Sequence, residues 1–199
     1  MEATPSSTRF VAWIDADDVC LAYRLEKQIS YLKDHPEIAA VGSNLEIINE
    51  KSQVTGFRYY PCSPDKIRKM LPKCNILAQP SMMLRHNVII ETGKISSKYK
   101  VCEDYEYWLR ILEKYDFANL TAPVIQYRIS TEQSKQRYLK PTLLNTVKIQ
   151  KDYFARINQS IPFDIRLRHC AFLLLRFFPS KLILAIFCFL NYKKNKSAK

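Results

Sequence analysis

Phe10-Val11-Ala12-Trp13-Ile14-Asp15-Ala16-Asp17-Asp18 is the stretch on which the fold turns. Its first five residues are apolar, short, and rich in β-branched and aromatic side chains, the pattern of a buried strand over 10–14. Its last four hold three carboxylates. A buried strand that ends in carboxylates sets acidic oxygens at the edge of a sheet, where open α/β folds take up ligands. Such oxygens suit a hard divalent cation, and that cation can carry phosphate. Far downstream a second acidic pair, Glu103-Asp104, opens a helix whose apolar face is Tyr105, Trp108, Leu109 and Leu112. Together the two clusters suggest metal-dependent group transfer from a nucleotide-activated substrate.

Each cluster also has a local explanation. Asp17-Asp18 and Glu103-Asp104 both suit the first turn of a following helix, where carboxylates accept backbone N–H bonds and meet the positive end of the dipole. Asp15 fits that explanation less well. It is read as the last residue of the strand, ahead of any cap, and three carboxylates within four residues repel one another unless a cation is present.

With 199 residues the chain can form one ordinary domain with a substantial core. It has only three glycines and no GxGxxG or Walker-type segment, so any phosphate must be met by metal and side chains. The net charge of +12 favours anionic partners. Arg166, Arg168, Arg176, Lys181, Lys193, Lys194, Lys196 and Lys199 crowd the last part beside long apolar runs, which suits a membrane surface better than a DNA groove. Six scattered cysteines form no CxxC pair and read as reduced thiols. No apolar signal segment opens the chain, so the expected location is cytoplasmic, or peripheral at the inner face of the membrane.

Leu21, Leu25, Ile29 and Leu32 recur at helical spacing, with Arg24, Glu26, Lys27 and Lys33 read as lying outside that face. Strands are expected over 38–42, 45–48, 57–60, 81–85, 117–120 and 123–128. Shorter helices are expected over 64–71 and from Asn87 to Gly93, and a long one over 137–157. The chain is thus α/β to about Arg128 and helical beyond.

In this order the motifs resemble family 2 glycosyltransferases of the GT-A fold. The resemblance is carried by Phe10 to Asp18, Arg24-Leu25-Glu26-Lys27-Gln28, Val41-Gly42-Ser43-Asn44, Gln79-Pro80-Ser81-Met82-Met83, Glu103-Asp104-Tyr105-Glu106-Tyr107-Trp108-Leu109 and Tyr127-Arg128, over roughly residues 9–135. It implies a partial GT-A, Rossmann-like mixed sheet with flanking helices over 1–135, followed by a helical region over 136–199. It implies that Asp15 and Asp17 are the DxD pair, binding Mg²⁺ or Mn²⁺ with the diphosphate of a nucleotide-sugar donor. It implies that Asp104 is the base of an inverting transferase and Glu103 a supporting residue, acting on a glycan or lipid-linked acceptor. In this family a nucleotide-binding half precedes the DxD, whereas fourteen residues precede Asp15 here. The expectation is therefore a domain lacking that half. After Tyr127-Arg128, where the family often has His, stands Ile129-Ser130.

Two apolar runs, 172–175 and 182–190, are divided by Arg176, Pro179 and Lys181, and neither reaches the ~20 residues of a spanning helix. With their basic flanks they are read as docking on an anionic membrane surface, with a packed helix pair as the alternative. Two further readings remain open: a non-catalytic, membrane-associated remnant of a glycosyltransferase, and a basic nucleic-acid-binding protein. No nucleic-acid motif supports the second, and nucleic acid is not among the expected partners.

Overall fold

The computed structural model describes residues 8–129, 133–180 and 183. The chain runs β1 (Phe10–Ala12), β2 (Val19–Cys20), α1 (Arg24–Asp34), β3 (Ile38–Ser43), β4 (Leu45–Ile48), β5 (Val54–Arg58), α2 (Pro64–Met70), a 3₁₀ turn (Gln79–Ser81), β6 (Met83–Arg85), α3 (His86–Thr92), α4 (Glu103–Leu112), β7 (Asp116–Leu120), β8 (Ile125–Arg128), α5 (Gln133–Arg156) and α6 (Phe163–Leu175). The architecture is the expected one: α/β, with mixed sheets, flanking helices and a helical C-terminal region.

Two compact units emerge, Met1–Ser97 with Glu103–Ser130, and Lys98–Cys102 with Thr131–Lys199. The first contains two four-stranded sheets, in the orders β1-β6-β3-β7 and β2-β8-β4-β5. Each mixes parallel and antiparallel pairing, β3 with β7 and β4 with β8 being the parallel pairs. Asn44 alone separates β3 from β4, so one extended run serves both sheets. Its side chain holds the transition. Asn44 Nδ2 donates to Thr121 O at 2.7 Å, and its Oδ1 accepts from Tyr60 N at 2.8 Å. Leu32, Ile38, Val41, Met83 and Ala118 form the core under the first sheet, and Leu45, Ile47, Val124 and Ile125 that of the second. A side chain buried this fully contributes roughly 1.5–3 kcal/mol.

Two expectations are corrected here. The strand 10–14 is shorter and less buried: β1 stops at Ala12 and Ile14 is exposed. Among the described residues β1 is an edge strand, paired with β6 and with no strand on its outer side. The apolar face expected for α1 holds only in part: Leu32 is buried and Ile29 packs on the core, but Leu25 is not covered and Arg24, expected outside, is buried. The buried residues of α1 are Arg24, Gln28 and Leu32, while Leu25 is 56% exposed. The buried stripe has a regular four-residue spacing, but two of its three members are polar.

The second unit contains α5 and α6. The preceding segment is fixed to α5 by Asp152 Oδ2, which accepts from Lys98 Nζ at 2.6 Å and from Tyr99 OH at 2.8 Å. The apolar run 172–175 forms the end of α6, while most of 182–190 lies outside the described residues. Among the described residues no helix is long and apolar enough to cross a membrane.

Candidate functional site

The carboxylates of 15–18 stand in the connection between β1 and β2, closed by Asp18 N donating to Asp15 O at 3.2 Å. They cap no helix: β2 intervenes, and α1 begins after Tyr23 with no side-chain cap. Asp15 is accordingly three residues beyond the strand rather than its last member.

Two arginines hold this connection through its backbone. Arg24 donates from Nη2 to Trp13 O at 2.6 Å and Met82 O at 3.4 Å, and from Nε to Gln28 Oε1 at 3.0 Å. Gln28 Nε2 in turn donates to Val41 O at 2.8 Å and Ser81 O at 2.7 Å. The polar stripe of α1 thus joins α1, β3, the 3₁₀ turn and the approach to Asp15. On the other side Arg128 donates from its backbone N to Asp18 Oδ1, from Nε to Asp17 O and from Nη1 to Asn49 O, each at 2.8 Å. Both arginines fix the loop through other atoms than the carboxylates of Asp15 and Asp17, whose side chains are exposed.

Asp15 and Asp104 line one cavity of about 310 Å³, together with Arg58, Tyr60, Asn75, Gln79, Tyr127 and a few apolar side chains. An aromatic cluster accounts for their meeting. Trp13, two residues before Asp15, packs on Tyr107 and Trp108 of α4 with ring centroids 5.9 and 5.3 Å apart. Trp108 meets Phe117 of β7 edge-on at 5.7 Å. The start of α4 is thereby held against the acidic loop. Asp104 Oδ2 accepts from Asn75 Nδ2 at 2.8 Å, and Asn75 Oδ1 accepts from Leu77 N, so Asn75 is itself oriented. Arg58 lies over the Tyr127 ring, 5.9 Å from its centroid, and brings positive charge to a wall that also holds two carboxylates.

Burial, reinforced by Asp17, pushes the Asp15 carboxyl above its ordinary range. Asp18 is pushed up to about 6, chiefly by burial, with Asp15 and Asp17 adding to the rise and the Arg128 N–H opposing it. Its Oδ2 is buried without a hydrogen-bond partner. Burial likewise raises Asp104, opposed by the bonds from Asn75 and the Tyr105 N–H and helped by Glu103.

Among the described residues no three His, Cys, Asp or Glu side chains converge as a metal cage. The Asp15–Asp17 pair nonetheless fits a divalent cation. Mg²⁺ is commonly held by one or two carboxylates, with substrate phosphates and water completing its shell. Asp17 raises the proton affinity of Asp15, and a cation beside the two would relieve that repulsion.

Of the residues singled out from sequence, Asp15 and Asp104 share the cavity wall. Asp17, two residues from Asp15, and Glu103, next to Asp104, do not line it. Arg58, Tyr60 and Asn75 escaped the sequence reading; the first two were seen only as strand residues, and nothing near Asn75 signals its role. Arg24 and Gln28 were quoted within a motif, yet their burial went unread.

Residues 4–93 match the family model described as Glycosyl transferase family 2. The match takes in the residues ahead of Asp15, and the expectation that the family's nucleotide-binding region is lacking is corrected accordingly. The O-antigen biosynthesis glycosyltransferase WbnJ of Escherichia coli is 35% identical over 134 residues, covering 64% of this chain and 52% of that protein. The UDP-Glc:alpha-D-GlcNAc-diphosphoundecaprenol beta-1,3-glucosyltransferase WfgD of Escherichia coli is 33% identical over 129 residues, covering 63% and 47%. The chain spans about half the length of these curated relatives. Among solved structures, the mannosyltransferase PcManGT of Pyrobaculum calidifontis, in complex with GDP-Man and Mn²⁺, aligns over 92% of this chain and 55% of its own, with a TM-score of 0.45 and 14% identity.

Proposed function

We infer that this chain is the working part of a family 2 glycosyltransferase. It moves a hexose from a nucleotide-sugar donor to an acceptor hydroxyl, with inversion, during the building of a cell-surface polysaccharide. The observation that carries this reading is the meeting of Asp15 and Asp104 on one cavity wall, within a fold whose residues 4–93 match the family. The polysaccharide context follows the name of WbnJ, and a lipid-linked acceptor follows that of WfgD.

Each side chain then has a task. Asp15 and Asp17 would hold Mg²⁺ or Mn²⁺ with the donor diphosphate, and the cation supplies positive charge against the charge that develops on the leaving diphosphate. Arg58 offers a second positive charge on the same wall. Asp104, kept in place by Asn75, accepts the proton of the attacking hydroxyl. Burial favours its protonated form, while the Asn75 N–H and the helix N-terminus favour the carboxylate that a base must be. Glu103, beside Asp104, supports by its charge. With Asp104 as base, the acceptor hydroxyl attacks in a single displacement, which inverts the anomeric centre.

The full chain should bind UDP-glucose in titration calorimetry only with Mn²⁺ present. Asp15→Asn/Asp17→Asn should weaken that binding at least ~10-fold. Asp104→Asn should leave donor binding in place while slowing transfer to a diphosphoundecaprenol-linked GlcNAc acceptor by about 10²-fold or more. Equal donor binding by the wild type and the double variant would remove the carboxylate pair from the site. Donor binding by neither would favour the non-catalytic remnant.

A further inference from the structure

Helix α6 has a buried face and a second, exposed apolar face. One contains Ile165 and His169, both buried, and His169 Nε2 lies 2.8 Å from Gln150 Oε1 of α5. The other holds Phe163, Leu167, Cys170, Leu174 and, just past the helix end, Phe177. Their spacings of four, three, four and three residues align them in one stripe at 3.6 residues per turn. All five are exposed, Phe163 and Phe177 each by 72% and Leu167 and Leu174 each by 63%. An isolated exposed leucine is ordinary, but a continuous stripe of large apolar side chains marks an interaction surface.

Charge identifies the occupant. Arg166 lies over the Phe163 ring at 6.0 Å and Arg176 over Phe177 at 4.5 Å, so guanidinium groups accompany both ends of the stripe. After Asp164 the sequence holds no Asp or Glu, against eight lysines and arginines. A second copy seated on the stripe would set arginine against arginine. An anionic lipid surface accepts the apolar side chains among its acyl chains and the arginines among its headgroups. We propose that the exposed face of α6, from Phe163 to Phe177, lies in the plane of an anionic membrane surface, with the helix parallel to it. This rests on α6 alone and stands independently of the transferase reading.

The test is flotation of the full chain with vesicles of phosphatidylcholine alone and with vesicles that also contain phosphatidylglycerol, whose anionic surface attracts basic segments. The wild type should float with the anionic vesicles and be released progressively as salt rises, since screening acts over about 10 Å at 0.1 M. Leu167→Ser/Leu174→Ser should float at least ~10-fold less while keeping the wild-type circular dichroism and melting temperature. Arg166→Gln/Arg176→Gln should lower binding about fivefold for each arginine removed, at low salt. The proposal is overturned by a wild type that stays with the protein fraction, by a serine variant that floats like the wild type, or by a concentration-dependent dimer that the same serines abolish. A serine variant that melts well below the wild type also overturns it, because the stripe is then covered by the chain itself.

Discussion

Helices α1 and α6 depart from the usual amphipathic pattern in opposite directions. Helix α1 turns Arg24 and Gln28 inward and leaves Leu25 in solvent, whereas α6 leaves Phe163, Leu167 and Leu174 in solvent. Each buried polar group of α1 has several partners, all within the first unit, and most are backbone oxygens of neighbouring segments. The polar stripe works as a staple: it decides where the chain enters the acidic loop. The apolar stripe of α6 has no comparable set of contacts, and its chemistry points outward. Helical spacing alone therefore says which residues share a face. Whether that face is turned in or out depends on which groups the neighbouring backbone needs.

Breaking the staple should have the largest effect. Gln28→Leu keeps the volume and removes the amide, leaving Val41 O and Ser81 O without its donor and Arg24 without its acceptor. A loss of roughly 2–4 kcal/mol is expected, since each buried group left unsatisfied costs about 1–3 kcal/mol. Urea denaturation of the full chain would measure it, and Gln28→Glu, which keeps an acceptor for Arg24, should lose less. If Gln28→Leu is as stable as the wild type, the network is incidental and α1 is held by the packing of Leu32, Ile29 and Tyr31 on the core.

The sequence shows more of the elements than of their sides. The strands at β3, β4, β7 and β8 and the helix at Glu103 were legible because apolar runs and alternation report burial directly. The sidedness of α1 was not, because hydropathy cannot distinguish a solvated arginine from one that satisfies Trp13 O and Met82 O. The candidate site divides the same way. Asp15 and Asp104 stood out as clustered carboxylates, and Trp13 and Trp108, which bring them together, lie beside them in the same motifs. Asn75 comes from a segment without periodicity and Arg58 from the end of a strand, and their role appears only when the sheets are folded. The length of β1 was misjudged because an edge strand and a buried one share the same composition.

Asp18 sharpens the comparison from the other side, as a half-buried carboxylate whose Oδ2 has no hydrogen-bond partner. Its carboxyl is raised from an ordinary 3.8 to about 6, so the folded chain holds that proton more tightly than the unfolded one. The sign follows: Asp18 contributes most to stability below about pH 4, and that contribution is lost as pH rises through 6. Asp18→Asn keeps an acceptor for the Arg128 N–H and removes the charge. Without divalent cations, its melting temperature relative to the wild type should rise between pH 4 and pH 7. Mn²⁺ should narrow the gap by stabilising the wild-type carboxylates. A difference that stays constant across this range would show that Asp18 does not titrate there.

The smallest effect on stability isolates what the two helices do not share. Leu25 on α1 and Leu167 on α6 are both leucines, 56% and 63% exposed, on helices that pack their opposite sides. Serine at either position gives up little buried surface, so each single variant should change the unfolding free energy by no more than about 0.5 kcal/mol, as for most surface substitutions. Stability alone would make the two positions look equivalent. Their neighbours make them different: Leu25 stands between Arg24, which is buried, and Glu26, while Leu167 sits in a run of exposed apolar side chains with arginines at its margins. Flotation with anionic vesicles should therefore be unchanged in Leu25→Ser and reduced about 5-fold or more in Leu167→Ser, given ~0.8 kcal/mol for each methylene-sized group withdrawn from lipid. Equal flotation of the two variants would mean that α6 offers the membrane nothing that α1 does not, and would reduce its stripe to a row of ordinary exposed residues.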